Sequence, residues 1–128
     1  MEQALMLPDT NVLIYFFGGK EPYAGNMKSW IVQKRLILSI IVVAEFFVGA
    51  SEEESHYLDA LIEQTTVCPI DILIAKRAAM IRKQELHRKM KLHLPDCLIA
   101  AQCQVYKATL ATTNPHDFPS SLPMFKFP

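Results

Sequence analysis

Three carboxylates in this chain stand among apolar neighbours. Asp9 follows Ala4-Leu5-Met6-Leu7-Pro8, Glu45 lies inside Ile40–Val48, and Asp96 sits in Leu94-Pro95-Asp96-Cys97-Leu98-Ile99-Ala100-Ala101. A buried, isolated carboxylate is costly, so it shifts its pKa, finds a partner or coordinates a metal. Three such acids, distant in sequence and each at an expected element end, predict one convergent acidic pocket. Crowded carboxylates repel one another, and a divalent cation relieves that repulsion. Mg²⁺ takes carboxylates, waters and phosphate oxygens in octahedral geometry. Such an ion can generate a hydroxide nucleophile and stabilise the oxygen leaving phosphorus. The chemistry indicated is phosphodiester hydrolysis.

Each acid also has a structural reading. Asp9 can N-cap a helix beginning at Thr10, and Asp96 suits a helix N-terminus behind Pro95. Glu45 resists such an account, because Val42, Val43, Phe46 and Phe47 surround it and imply burial; a structural ion pair is its remaining alternative.

The elements that must position these acids are legible from pattern. Ala4–Leu7, closed by Pro8, reads as a buried strand. Thr10–Phe17 reads as a short helix ending at Gly18-Gly19, and Glu21–Lys34 as a second helix with Pro22 at its start. Leu36–Ser39 is a buried strand. Ile40–Ala50 is rich in β-branched residues, which favour a strand, yet Ala44, Glu45 and the terminal Gly49-Ala50 favour a helix with Ser39 as N-cap. Glu52, Glu53 and Glu54 suit the first turn of a helix running to about Gln64. Thr66–Pro69 reads as a brief edge strand. Asp71–Met90 reads as a long amphipathic helix that buries Ile72, Ala75, Ala79, Ile81 and Leu86 and leaves a basic outer side. Pro95 opens a helix through about Tyr106, Thr109–Thr112 is a strand, and Met124–Phe127 is compatible with a last edge strand. Strands alternating with helices predict one α/β domain over residues 1–128, a central, mainly parallel twisted sheet flanked by helices. Sites in such sheets form outside the carboxyl ends of the strands. Asp9, Glu45, Asp96, Asn114 and Asp117 can all reach one such edge.

Composition agrees and excludes alternatives. A hydrophobic fraction of 51% suffices for one core, and Lys+Arg and Asp+Glu are equal at 13 each, so net charge identifies no partner. The N-terminus shows no secretory pattern, and the apolar run Leu36–Val48 is too short to span a bilayer; the expectation is a soluble cytoplasmic protein without membrane contact. Cys68, Cys97 and Cys103 have no C-x-x-C spacing and read as buried free thiols. His56, His87, His93 and His116 lack a metal-ligand spacing. Arg82, Lys83, His87, Arg88, Lys89, Lys91 and His93 form a basic stretch that either guides an RNA backbone or is a solvated helix face. Among the aromatic residues, Phe17 and Trp30 are the candidates for partner contact.

Four segments together, Leu7–Ile14, Ala44–Gly49, Leu94–Ala101 and Ala111–Phe118, resemble the PIN domain, most nearly the VapC-like ribonuclease toxins of type II toxin–antitoxin systems. The resemblance covers nearly the whole chain in the right order. It implies a Mg²⁺- or Mn²⁺-dependent endoribonuclease, acting on an RNA substrate, that forms a homodimer or a toxin–antitoxin hetero-oligomer and is inhibited by a small antitoxin whose tail enters the acidic groove. Carried over residue by residue, it places Asp9, Glu45 and Asp96 as metal-binding acids, with Thr10, Asn11 and Thr112 as polar support. At the fourth acidic position Asn114 takes the nearer slot and Asp117 the following one. Asp117 is then a lesser catalytic contributor and Asn114 a positioner of water or ligand.

Other classes fit less well. A haloacid-dehalogenase-like phosphatase needs a D-x-D signature, and Asn11 stands where its second acid would be. A receiver-like, non-catalytic Mg²⁺-binding α/β domain needs an acidic pair at the first strand and an Asp after a mid-chain strand, where this chain has Ser39-Ile40. A PIN-like RNA-processing nuclease without a toxin role, or a PIN-like domain that only binds RNA or protein, remains open at this level.

Overall fold

The apolar runs form short, fully parallel strands in the computed structural model, which describes residues 3–87 and 92–128. In chain order the elements are β1 (Leu5–Pro8), α1 (Thr10–Phe17), α2 (Tyr23–Val32), β2 (Ile37–Ser39), α3 (Ile40–Gly49), α4 (Glu52–Gln64), β3 (Thr66–Cys68), α5 (Ile72–His87), α6 (Leu94–Tyr106), β4 (Ala108–Ala111), a 3-10 turn (Pro115–Asp117) and β5 (Met124–Phe125). β1 pairs with β4, β4 with β5 and β2 with β3. A bridge between Met6 and Leu36 joins the two groups in the order β3-β2-β1-β4-β5. Because every pairing is parallel, all carboxyl ends emerge on one edge. Both faces carry helices, which is why Met6, Leu7, Leu38 and Leu110 are buried without alternation.

Side-chain caps set the helix starts. The Asp9 carboxylate accepts from the Val12 N–H, and Ser39 Oγ accepts from the Ile41 N–H at 3.1 Å. Ser51 and Glu54 form a reciprocal capping box on α4. The Asp71 carboxylate accepts from the Ile74 N–H at 2.9 Å and caps the start of α5. α6 ends at Lys107, which takes a left-handed conformation with φ 55°.

Two expectations are corrected. α5 buries Ile74, Ala78, Ile81 and Glu85 against α6, whereas Ile72 is 72% exposed and Ala75, Ala79 and Leu86 also face outward. The buried residues follow an i, i+4, i+7, i+11 spacing selected by the packing of α5 on α6, and only Ile81 of the expected face belongs to it. α2 is shorter than expected, because Pro22 occupies its N-cap and Lys34 has turned left-handed.

Among the described residues two polar side chains, Ser39 and Gln102, are fully buried. Gln102 on α6 is 0% exposed. It accepts from the Ser39 hydroxyl and donates to the carbonyls of Cys68, at 2.8 Å, and Pro69, at 3.2 Å. It therefore ties α6 to the start of α3 and the end of β3. The three cysteines are free and buried, as expected. Among the described residues, no helix is long and apolar enough to cross a membrane.

Candidate active site

Asp9 occupies the first position past β1, where its N–H donates to the Ala111 carbonyl at 2.9 Å and prolongs the ladder with β4. Its carboxylate is thereby held at the carboxyl edge of the sheet, only 8% exposed. One oxygen accepts from the Val12 N–H at 3.1 Å, and the other accepts from the Thr112 hydroxyl. The Thr113 backbone N–H lies close enough to this carboxylate to favour its charged form. Thr112 is in turn fixed by the Asn114 N–H, which donates to its Oγ1 at 2.9 Å. Burial raises the Asp9 pKa, the contacts with Thr112, Val12 and Thr113 oppose that rise, and the charge of Glu45 adds to it.

Glu45 reaches the same place from α3. The Thr10 hydroxyl donates to its Oε1 at 2.9 Å. Contrary to expectation, Glu45 is exposed: Val42, Val43 and Phe46 take the inner side of α3, and the helical turn puts residue 45 on the side facing the pocket. Its apolar neighbours in sequence are thus not its neighbours in space. Asp96 sits in the first turn of α6, half-buried. Its pKa is pushed up to about 6, by burial first, then by the charges of Asp117 and Glu45, with His93 opposing and Asp9 adding. An acid that senses three other carboxylates is part of one acidic cluster.

The pocket they enclose, about 350 Å³, is lined by Asp9, Thr10, Asn11, Glu45, Asp96, Asn114 and Asp117, with Ile99 and Phe118 as an apolar wall. Seven of the eight residues singled out from sequence therefore line one cavity, and the eighth, Thr112, stands directly behind Asp9. The 3-10 turn brings Asn114 and Asp117 to the same wall, so the two candidates for the fourth position are both present. Ile99 and Phe118 escaped sequence reading, although Ile99 lies three residues after Asp96, on the same helical face. His93 is electrostatically coupled to Asp96 and belongs beside the acids. Arg82 and Lys83 are exposed on α5 and do not line the pocket; the His87 side chain and residues 88–91 of the expected basic stretch lie outside the described part. Trp30 is not available to a partner: it is 3% exposed and packs edge-on to Phe125. Phe17 is half-buried and, with Phe16, Ile31 and Tyr57, lines an apolar hollow of about 420 Å³.

The sequence profile of the PIN domain matches residues 6–120. The chain belongs to the PIN domain family. Similar chains include the ribonuclease VapC10 of Mycobacterium tuberculosis, 29% identical over 119 residues that span 90% of this chain and 86% of that protein. In a toxin–antitoxin complex from Klebsiella pneumoniae, a chain of 27% identity superposes with a TM-score of 0.78 over 94% of this chain and 96% of its own. A chain of DNA-bound VapBC from Salmonella typhimurium superposes at 0.79 with 17% identity, over 97% of this chain and 98% of its own, and shows the shared fold.

The donors in this PIN domain's pocket are carboxylate, hydroxyl and amide oxygens, the set preferred by hard divalent cations. Among the described residues, no three His, Cys, Asp or Glu side chains form a closed cage. The pocket instead has room for waters, each about 30 Å³, which suits an ion that keeps much of its hydration shell.

The raised pKa of Asp96 has a consequence for stability. The folded protein binds this proton more tightly than the unfolded chain, so stability falls as pH rises between the ordinary carboxylate value of 3.8 and about 6. The full linkage value is about 3 kcal/mol; because Asp96 is only part-buried, solvent screening reduces it to about 1 kcal/mol. Asp96→Asn should therefore raise Tm at pH 7.5 by about 4 °C in EDTA, with the gain vanishing near pH 4. Parallel thermal melts of the two proteins across pH check this.

Proposed function

We propose that this PIN domain is a Mg²⁺- or Mn²⁺-dependent endoribonuclease, the toxin of a type II toxin–antitoxin module acting on cytoplasmic RNA. The observation that carries the reading is the meeting of Asp9, Glu45, Asp96 and Asp117, from four separate chain segments, in one oxygen-lined pocket at the carboxyl edge of a parallel sheet. The name of the Mycobacterium tuberculosis relative, a ribonuclease, and the toxin–antitoxin complexes among the structural relatives support it.

Asp9, Glu45 and Asp96 would hold the cation, with Asp117 as an additional acid on the same wall. The bound ion would supply an activated water and charge neutralisation at the phosphate. The chain's own residues do the rest. Thr112 and the Val12 N–H at the start of α1 lock the Asp9 carboxylate in place. Thr10 aims Glu45 into the pocket. Asn11 and Asn114 present amides that can orient a water or a phosphate oxygen. Ile99 and Phe118 exclude water from one side, which strengthens the electrostatics within.

A small antitoxin is the proposed regulatory partner. The hollow beside Phe17 is the surface we assign to its apolar contacts, and a homodimer is the proposed resting assembly. The test is incubation of the purified protein with total RNA in Mg²⁺ or Mn²⁺ and in EDTA, followed by mapping of the cut ends. Discrete internal cuts only with metal are expected. RNA that stays intact under all three conditions, with the protein folded, overturns the nuclease reading.

A further inference from the structure

A second cleft lies against the back of the acidic pocket. It measures about 450 Å³, and its walls include Tyr23, Thr113, Ser120, Met124, Lys126 and Phe127. The wall between the two cavities is a single stretch of chain. Thr112 bonds to Asp9 and Asn114 lines the acidic side, while Thr112, Thr113 and Pro115 line the other. Three residues of chain span at most about 10 Å. The residues lining the two cavities are thus joined at their shared wall by no more than this length of chain.

The position follows from topology. β1, β4 and β5 run parallel, so Asp9 after β1, Thr112 after β4, and Lys126 and Phe127 after β5 emerge on the same edge. The chemistry of the cleft differs sharply from that of its neighbour. Among the described residues no Asp or Glu lines it and Lys126 is its one charged group, and the rings of Tyr23 and Phe127 stand 4.7 Å apart and half-buried. Aromatic faces bind bases by stacking, hydroxyls such as those of Thr113 and Ser120 can read base edges, and an ammonium complements the adjoining phosphate.

We infer that this cleft receives one nucleobase of the RNA strand whose backbone lies at the acidic pocket, and so helps to choose the cleavage position. The inference rests on the ribonuclease reading above. Tyr23→Ala removes a cleft ring that also packs on Tyr15 at 5.0 Å and on Phe127 at 4.7 Å, whereas Lys126→Ala alters an exposed residue and leaves the core intact.

The experiment has two arms. In the first, a pool of short RNAs randomised around the cut is digested by wild type and by both variants. The expected result is a KM raised about fivefold or more with kcat changed by less than about twofold, and a flattened base preference at one position next to the cut in Tyr23→Ala. In the second, the wild type in EDTA is titrated with each of the four nucleoside monophosphates and with ribose 5-phosphate, followed by amide shifts in NMR spectra. Saturable shifts at Thr113, Ser120 and Lys126 with at least one nucleotide, absent with ribose 5-phosphate, support a base site. Equal shifts with ribose 5-phosphate, or none with any nucleotide, overturn it. If the wild type cuts RNA and both variants keep its preference and KM, the base site falls and the nuclease reading stands. If the wild type cuts no RNA, the nuclease reading falls, and the titration alone decides whether the cleft binds a base.

Discussion

Asp96→Asn and Asp9→Asn should each lower metal-dependent RNA cleavage by about 10²- to 10³-fold or more, while leaving the far-UV circular dichroism close to wild type. The magnitude follows from what is lost: one anionic ligand from a site whose chemistry is almost wholly electrostatic. Asn matches Asp in shape, and at residue 9 it still caps α1, since Asn and Asp are comparable N-caps. Fold and chemistry are thus separable at these positions. Glu45→Gln keeps an acceptor for the Thr10 hydroxyl and loses only charge, so it should fall in the same direction. Thr112→Val should lose less, about 10- to 100-fold, because it disturbs the orientation of Asp9 and not its charge. Cleavage rates on one defined RNA, measured at saturating Mn²⁺, give the ordering. Undiminished cleavage by both Asp variants would remove these residues from the reaction.

Gln102→Ala should be the most damaging change away from the pocket, costing about 3–5 kcal/mol. The substitution empties buried volume, removes the Gln102 donor to the Cys68 and Pro69 carbonyls and leaves the Ser39 O–H without its acceptor. Gln102→Leu refills most of the space but leaves the same polar groups orphaned, so it should still cost about 2–3 kcal/mol. Ser39 caps α3, which carries Glu45, and Gln102 lies on α6, which carries Asp96. The buried amide therefore braces two of the helices that build the site. Urea unfolding midpoints at constant slope provide the measurement. A loss below about 1 kcal/mol for the Ala variant would show that these three groups find other partners.

Much of this was legible in the chain because local chemistry fixes helix ends. α1 runs from Thr10 to Phe17 as read, since Asp9 before it and Gly18-Gly19 after it leave little choice. Ser39 decides α3 in the same way: its hydroxyl caps a helix through a run whose β-branched residues favour a strand. What sequence could not supply was the phase of a helix against its partner. Ile72, Leu73, Ala75 and Ala79 are as apolar as Ile74 and Ala78, and only the packing of α5 on α6 separates them. Glu45 carried the same ambiguity, since apolar neighbours along a helix are not its neighbours in space. Gln102 passed unnoticed because Gln is ordinarily a surface residue, and its role depends on carbonyls 33 and 34 residues away. Asn114 and Asp117 competed for the fourth position in sequence, and the turn between them places both on one wall.

The central claim is that Asp9, Glu45 and Asp96 act as one cation site. Titration of Mn²⁺ into the protein at pH 7.5, followed by the electron paramagnetic resonance signal of the free ion, tests it without reference to any RNA. The wild type should take up at least one Mn²⁺ per chain below millimolar concentration, and an Asp9→Asn/Asp96→Asn double variant should bind at least about tenfold more weakly. Equal uptake by the two proteins, or none by the wild type at millimolar Mn²⁺, would contradict the account.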